Sequence, residues 1–402
     1  MSEPADRPVI RLRPKHGGRF FSGAPWVYGD EVVMDRRTKA LAPGTIAQLQ
    51  DADREALGTV AFNPASGIAA RLLDRDPEAV IDGAWLRERL ARAAALREAV
   101  IGSPFHRLVH AEADGLPGLV IDRFGDAAVI QPNAAWADRL TAEIAEALAD
   151  VTGVTTIYVA GTSRARAQEG IGETAFFERG SAPAPLEAPM NGALYLADIS
   201  GGQKTGLYFD QRPNHAFVAS LVSSPAPGAR VLDMFCHVGG FSLAALAAGA
   251  ASALAVDGSQ PALDLAAEAA GRMGVAERFE ARRGDAFRTM EALAEEGALF
   301  DVVVCDPPAF APARPALKAG LRAYARTARL AARLTEPGGF LTLCSCSHSA
   351  APDLFRDACA EGLRRAGREG QLIREGHAGP DHPAHPHLPE TAYLKALTFR
   401  LP

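Results

Sequence analysis

At 402 residues the chain is too long for one ordinary domain and fits two or three. With 48% hydrophobic and 22% charged residues, its composition is globular and excludes a disordered or fibrous chain. The formal net charge of −6 offers no global attraction to a polyanion, although a whole-chain sum hides local patches. No window approaches a membrane-spanning length, and Met1-Ser2-Glu3-Pro4 lacks the basic-then-apolar layout of a secretion signal. The expectation is a cytoplasmic protein with no membrane partner. Five cysteines occur, Cys236, Cys305, Cys344, Cys346 and Cys359, without Cys-x-x-Cys spacing. An odd count and a reducing compartment argue against disulfides, and no metal site is expected.

Residues 1–77 carry short alternating segments such as Val9-Ile10-Arg11-Leu12-Arg13, punctuated by Gly and Pro, which predict a small β-rich domain. Residues 7–29 hold Arg7, Arg11, Arg13, Lys15 and Arg19 with no acid among them, interleaved with Phe20, Phe21, Trp26 and Tyr28. That mixture suits phosphate contacts with base stacking. A solvated basic edge strand would carry the same pattern. Residues 74–77 read as a linker, and 82–101 predict a helix with Leu86, Leu90, Ala94 and Val100 near helical spacing. Strands are expected at 107–112, 119–123, around 129–131 and at 155–159, with a helix near 136–149. Together they make 78–189 a central α+β unit, with a second linker at 181–185 near its end.

From about residue 190, apolar strands alternate with alanine-rich helices. Strands are expected at 230–234, 252–257, 278–282, 300–305 and 340–345, which implies a parallel sheet covered on both faces. Ligands of such sheets bind at the C-terminal strand ends. The informative motifs fall there.

Asp233 ends the first of these strands, and Phe235-Cys236-His237-Val238-Gly239-Gly240 turns into a helix. Glycines there let the backbone approach a ligand. The next strand ends in Asp257, placed to take two ribose hydroxyls. The turn lacks the Gly-x-Gly-x-x-Gly spacing that seats a pyrophosphate, which favours S-adenosylmethionine over a nicotinamide cofactor. Asp285, after the third strand, is positioned for the adenine end; the plainer role for it is a helix N-cap. Asp233, Phe235, Gly239, Gly240, Asp257, Asp285 and Asp306 form the candidate cofactor set.

Asp306-Pro307-Pro308-Ala309-Phe310 ends the fourth strand, where a carboxylate can engage a base edge and two prolines stiffen the loop. Alternation turns Cys305 away from Asp306 and into the core. In Leu343-Cys344-Ser345-Cys346-Ser347, Cys346 lies nearer the strand mouth than Cys344 and is the expected nucleophile. The chemistry expected is addition of the Cys346 thiolate to carbon 6 of a pyrimidine, methylation at carbon 5, loss of the carbon-5 proton and elimination of the thiol. Asp381, His382 and Glu390 are candidate bases.

With these residues in hand, the chain resembles the bacterial 23S ribosomal RNA large-subunit cytosine-5 methyltransferases. The likeness rests on 202–212 (Gly-Gln-Lys-Thr-Gly-Leu-Tyr-Phe-Asp-Gln-Arg), on 235–241, on 306–310, on Ser345-Cys346-Ser347, and on Asp381-His382-Pro383 through Lys395. It departs at Cys236 and His237, where the family more often has a hydroxyl and an aromatic residue. The resemblance implies a PUA-like RNA-binding domain at 1–77, a central α+β domain at 78–189 and a Rossmann-like class I methyltransferase domain at 190–402. It also implies 23S ribosomal RNA as partner, with Lys204, Gln211 and Arg212 near the pocket. A homodimer is compatible with it. The competing expectations are nitrogen methylation without a covalent adduct and a non-catalytic RNA-binding ribosome-assembly factor.

Overall fold

The computed structural model describes residues 7–182, 184–201, 206–223 and 228–402, so Lys204 lies outside the described residues. The chain divides into two compact units. One holds Met1–Ala184, Ile199–Thr205 and Pro380–Thr391; the other holds Pro185–Asp198, Gly206–Gly379 and Ala392–Pro402.

The first unit contains two five-stranded sheets. One runs in the order Val9–Arg11, Thr45–Gln50, Ala56–Phe62, Ile68–Asp74, Trp26–Tyr28. Its alternating strands turn Ile10, Val27, Leu49, Val60 and Phe62 into a small core. Phe20, expected among the stacking aromatics, belongs to that core, whereas Phe21 is 57% exposed. The other sheet carries the Gly83–Val100 and Thr141–Thr152 helices over Leu108, Ile121 and Ile130. The Asp82 carboxylate caps the first helix, accepting from the Ala84 and Trp85 amides at 3.0 Å.

Two expectations shift here. The strand expected at 107–112 is Phe105–His110, because Ala111–Asp114 folds into a 3-10 turn. Asp114 fixes that turn by accepting from the His110 amide at 2.5 Å and pairing with buried Arg97. The single helix expected near 136–149 is two, Ala135–Arg139 and Thr141–Thr152. The Thr141 hydroxyl donates to the Ala137 and Asp138 carbonyls, competing with the helical ladder at the break.

The second unit is built on a seven-stranded sheet in the order Phe279–Arg283, Ser252–Asp257, Arg230–Met234, Phe300–Cys305, Thr335–Ser345, Lys395–Leu401, Gln371–Gly376. The first five strands are parallel, Lys395–Leu401 runs antiparallel to both of its neighbours, and Gln371–Gly376 beyond it runs with the first five, so the wholly parallel sheet expected from the strand pattern is mixed. Lys395–Leu401 follows Gln371–Gly376 with no α-helix between them and returns beside it in the antiparallel sense, inserted between that strand and Thr335–Ser345. A hairpin of Leu186–Met190 and Ala193–Ala197 was not expected either. Its signal is Asn191-Gly192, both at positive φ (55° and 76°), which suits a two-residue hairpin turn.

Helices Leu317–Arg333 and Pro352–Arg365 pack together at Gly362, where a side chain would come within 2.5 Å of the Ala325 carbonyl and the Ala328 methyl. Gly362→Ala is therefore expected to destabilise the protein by about 1–3 kcal/mol through overpacking. Denaturant unfolding of the two proteins checks this, and an unchanged midpoint would show that the helices move apart freely.

Candidate active site

The site is assembled in the second unit from what lies just beyond four neighbouring parallel strands. After Arg230–Met234 the chain makes an unusual turn: Phe235 and His237 adopt positive φ (62° and 49°), as does Gly239 at 80°. Only glycine takes such angles without strain, so two side-chain-bearing residues are held there by their surroundings. Asp257 supplies part of that hold. Its two carboxylate oxygens accept from the His237 amide at 2.9 Å and the Ser259 amide at 2.8 Å. Each oxygen keeps a further lone pair for a hydroxyl.

Asp233 is fully buried. One of its oxygens accepts from the Ser242 amide at 2.9 Å, and the other has no hydrogen-bond partner among the described residues. Burial pushes its carboxyl up to about 7. Close to it a cavity is lined by Leu207, Tyr208, Gln211, His215, Phe235, Cys236, His237, Val238, Gly240, Phe241 and Asp306. Gln211 accepts from Asn214 at 2.7 Å. His215, pushed down to about 3 by burial, is neutral and leaves Nδ1 without a hydrogen-bond partner among the described residues. A buried carboxylate oxygen and a buried ring nitrogen without partners, next to the Asp257 carboxylate, fit a polar ligand with hydroxyls and an amino-acid end. The donor set therefore fits S-adenosylmethionine.

Asp285 is the N-cap of the Ala286–Glu295 helix, accepting from the Arg288 amide at 3.0 Å, so the plainer of its two expected roles is realised. The following Phe287 stacks on Phe310, with centroids 6.1 Å apart.

Asp306 follows Phe300–Cys305 and is half-buried, its amide bonded to the Met234 carbonyl at 3.2 Å. Cys305 is a core residue, as its alternation predicts, and burial pushes its thiol up. Cys346 is the first residue past Thr335–Ser345 and is half-exposed, whereas Cys236, Cys305, Cys344 and Cys359 are buried. Burial raises the Cys344 thiol well above its ordinary value.

Three residues absent from the sequence-based set brace this end of the strand. Tyr324 accepts from the Ser345 hydroxyl at 2.9 Å and shares a 2.7 Å bond with Ser347, fixing both neighbours of Cys346. The Ser347 hydroxyl also accepts from the Ala311 amide at 3.0 Å, tying the Cys346 strand to the Asp306 loop. The Ser-x-Ser spacing around Cys346 was the available signal; nothing local marks Tyr324.

Arg212 opens the Arg212–Ser223 helix with its guanidinium over Phe209. The basic residues Arg11, Arg13, Lys15 and Arg19 belong to the other unit. Arg13 donates to the Val32 carbonyl at 2.9 Å, and Arg19 bonds Tyr28 and pairs with Glu390 at 3.6 Å. The candidate bases Asp381 and His382 are also in that unit. Asp381 is buried, accepting from the Arg107 amide at 3.1 Å and bonded to His382 at 3.0 Å.

The Asp233 shift has a stability consequence. Its folded value lies above the ordinary 3.8, so between about pH 4 and 7 the folded state binds the extra proton and stability falls as pH rises. Asp233→Asn is expected to flatten that slope, read from denaturant unfolding across this range. An unchanged slope would place the proton elsewhere.

A family model described as S-adenosylmethionine-dependent methyltransferase matches residues 181–400, and a PUA-like domain model matches 10–75. Two curated proteins, both named ribosomal RNA large subunit methyltransferase I, are similar along nearly the whole chain. The protein from Shewanella amazonensis is 36% identical, over 98% of this chain and 99% of its own. That from Cronobacter sakazakii is 34% identical, over 93% and 94%. Among solved structures, a putative SAM-dependent methyltransferase from Streptococcus mutans shares the fold at TM-score 0.80 and 16% identity, covering 98% of this chain and 100% of that one. A putative methyltransferase complexed with SAH does so at TM-score 0.81 and 18% identity, with the same coverage. The chain belongs to the ribosomal RNA large subunit methyltransferase I family, with a PUA-like domain and a class I S-adenosylmethionine-dependent methyltransferase domain.

Proposed function

We propose that the chain methylates carbon 5 of a cytosine in 23S ribosomal RNA, in the cytoplasm, through a covalent adduct of Cys346. The observation that carries this is the half-exposed Cys346 at the mouth of a sheet whose other cysteines are buried. The names of the curated relatives support ribosomal RNA of the large subunit as the substrate.

On this reading Asp233, Phe235, Gly239, Gly240, Asp257, Asp285, Asp306 and Gln211 hold S-adenosylmethionine, with Asp257 taking the ribose hydroxyls. Bound there, the cofactor supplies an electrophilic methyl group. The Cys346 thiolate adds to carbon 6 and forms a carbon–sulfur bond, and the displaced π electrons make carbon 5 nucleophilic. Asp306 holds the base edge. Once carbon 5 is methylated, a base takes its proton, and the freed electron pair expels the thiolate. Lys204 and Arg212 contact the RNA near the pocket. Residues 1–77 act as the RNA-binding domain, 78–189 as the central domain and 190–402 as the catalytic domain.

Cys346→Ala is expected to abolish methylation while leaving cofactor affinity unchanged, because the thiol acts on the base. Cys344→Ala is expected to keep most activity, losing only what a small core cavity costs. RNA carrying 5-fluorocytosine is expected to trap a covalent complex with the unmodified enzyme, since fluorine cannot leave as a proton. Turnover by the Cys346 variant, with the methyl group on a nitrogen, would favour direct transfer instead.

Neutralising Arg11, Lys15 and Arg19 together is expected to weaken RNA binding and lower its salt slope, with cofactor affinity unaffected. Binding measured from low to high salt checks this; an identical slope would leave these residues as a solvated edge. Arg13 is a poorer probe, since its bond to the Val32 carbonyl also serves the fold.

A further inference from the structure

Lys395 is the one buried lysine among the described residues, 5% exposed at the start of the Lys395–Leu401 strand. It pairs across the sheet with Ser345, the residue immediately before Cys346. Its ammonium donates to the Ser347 carbonyl at 2.7 Å and the Ala350 carbonyl at 3.0 Å, closing the turn that follows Cys346. Among the described residues no carboxylate comes within ion-pair distance of it. A buried ammonium satisfied only by carbonyls keeps most of its desolvation cost, and an anion forming beside it would offset that cost.

We propose that Lys395 is the positioning residue for Cys346: its ammonium clamps the turn carrying the thiol and favours the thiolate over the thiol. This rests on Cys346 being the nucleophile. On ionisation the thiol proton leaves to solvent, and the sulfur lone pair becomes available for carbon 6. Two of the described residues that face Cys346 are tyrosines. Tyr208, ahead of the Phe209–Gln211 turn, and Tyr324, on the Leu317–Arg333 helix, are both raised by burial and stay neutral. Asp306 faces Tyr208 and opposes a nearby negative charge, while Arg374 on the Gln371–Gly376 strand faces Cys344. The coupling runs both ways: burial lowers Lys395 to about 8, and Cys346 acts against that lowering.

The test uses the full chain and reads the thiol directly. Alkylation of Cys346 by iodoacetamide, in which the sulfur displaces iodide, is followed by peptide mass spectrometry from pH 5 to 10. Lys395→Met keeps the apolar stem and removes the charge. Its alkylation midpoint is expected to rise by about one pH unit, with reaction roughly tenfold slower at neutral pH. Lys395→Arg is expected to restore most of the shift. A midpoint unchanged in Lys395→Met would overturn the proposal.

If Lys395→Met does not fold, the reciprocal measurement decides. In Cys346→Ser the Lys395 titration, followed through its labelled Cε by NMR, is expected to move to lower pH because the partner anion is gone. Identical titration in the two proteins would overturn the coupling. A shifted alkylation profile together with methylation surviving Cys346→Ala would keep the pairing and remove the nucleophile assignment. An unshifted profile with Cys346→Ala inactive would do the reverse.

Discussion

Burial of the parallel strands on both faces is the constraint on which the rest of the catalytic unit depends. Val231, Leu232, Val302, Val303, Val304 and Leu341 have no solvent to face, so the candidate site residues gather toward the C-terminal ends of the strands, as Asp233 does. Chemistry is displaced to where the backbone leaves the sheet. Asp257, Asp306 and Cys346 all stand one step inside or outside a strand end. The parallel register sets those ends side by side: Met234 pairs with Val256 and Cys305, and Cys305 with Leu343.

The turn after Arg230–Met234 shows what such a strand end demands. Positive φ at Phe235 and His237 costs of order 1 kcal/mol or more each. The Asp257 carboxylate and the Cys236 amide bond to the Val256 carbonyl offset that cost. A residue proposed to bind the ribose thus also shapes the turn, and the two functions share one side chain. The same economy holds at the thiol, where Tyr324, Ser345 and Ser347 leave the Cys346 backbone little freedom. A nucleophile held in this way loses little entropy when it reacts.

Buried charge is handled differently in the two units. The first relies on arginine–carboxylate pairs, among them Arg97 with Asp114, Arg107 with Asp122 and Arg71 with Glu169. Guanidinium and carboxylate match geometrically, which suits a scaffold. In the second unit, among the described residues, one oxygen of the buried Asp233 carboxyl has no hydrogen-bond partner and the Lys395 ammonium is held by two backbone carbonyls. Unmatched buried groups are costly for folding and shift their proton affinities, which marks sites rather than scaffolds.

The sequence by itself determined the catalytic half in outline. Runs of apolar residues ending in Asp233, Asp257 and Asp306, with a glycine turn after the first, follow from local periodicity and backbone freedom. Cys346 could be preferred to Cys344 because side-chain alternation and distance from the strand end are local properties. Tertiary structure decided what depends on long-range pairing. The reversed Lys395–Leu401 strand, inserted between Thr335–Ser345 and Gln371–Gly376, carries no local mark of its direction. Tyr324 reaches Ser345 and Ser347 only because a helix packs over the sheet, 21 and 23 residues away in the chain. Asp285 could cap a helix or bind a ligand on local grounds, and the helix geometry realises the cap. Lys395 reads as one more lysine in a strand; only its pairing with Ser345, 50 residues earlier, buries its charge against the turn that follows Cys346.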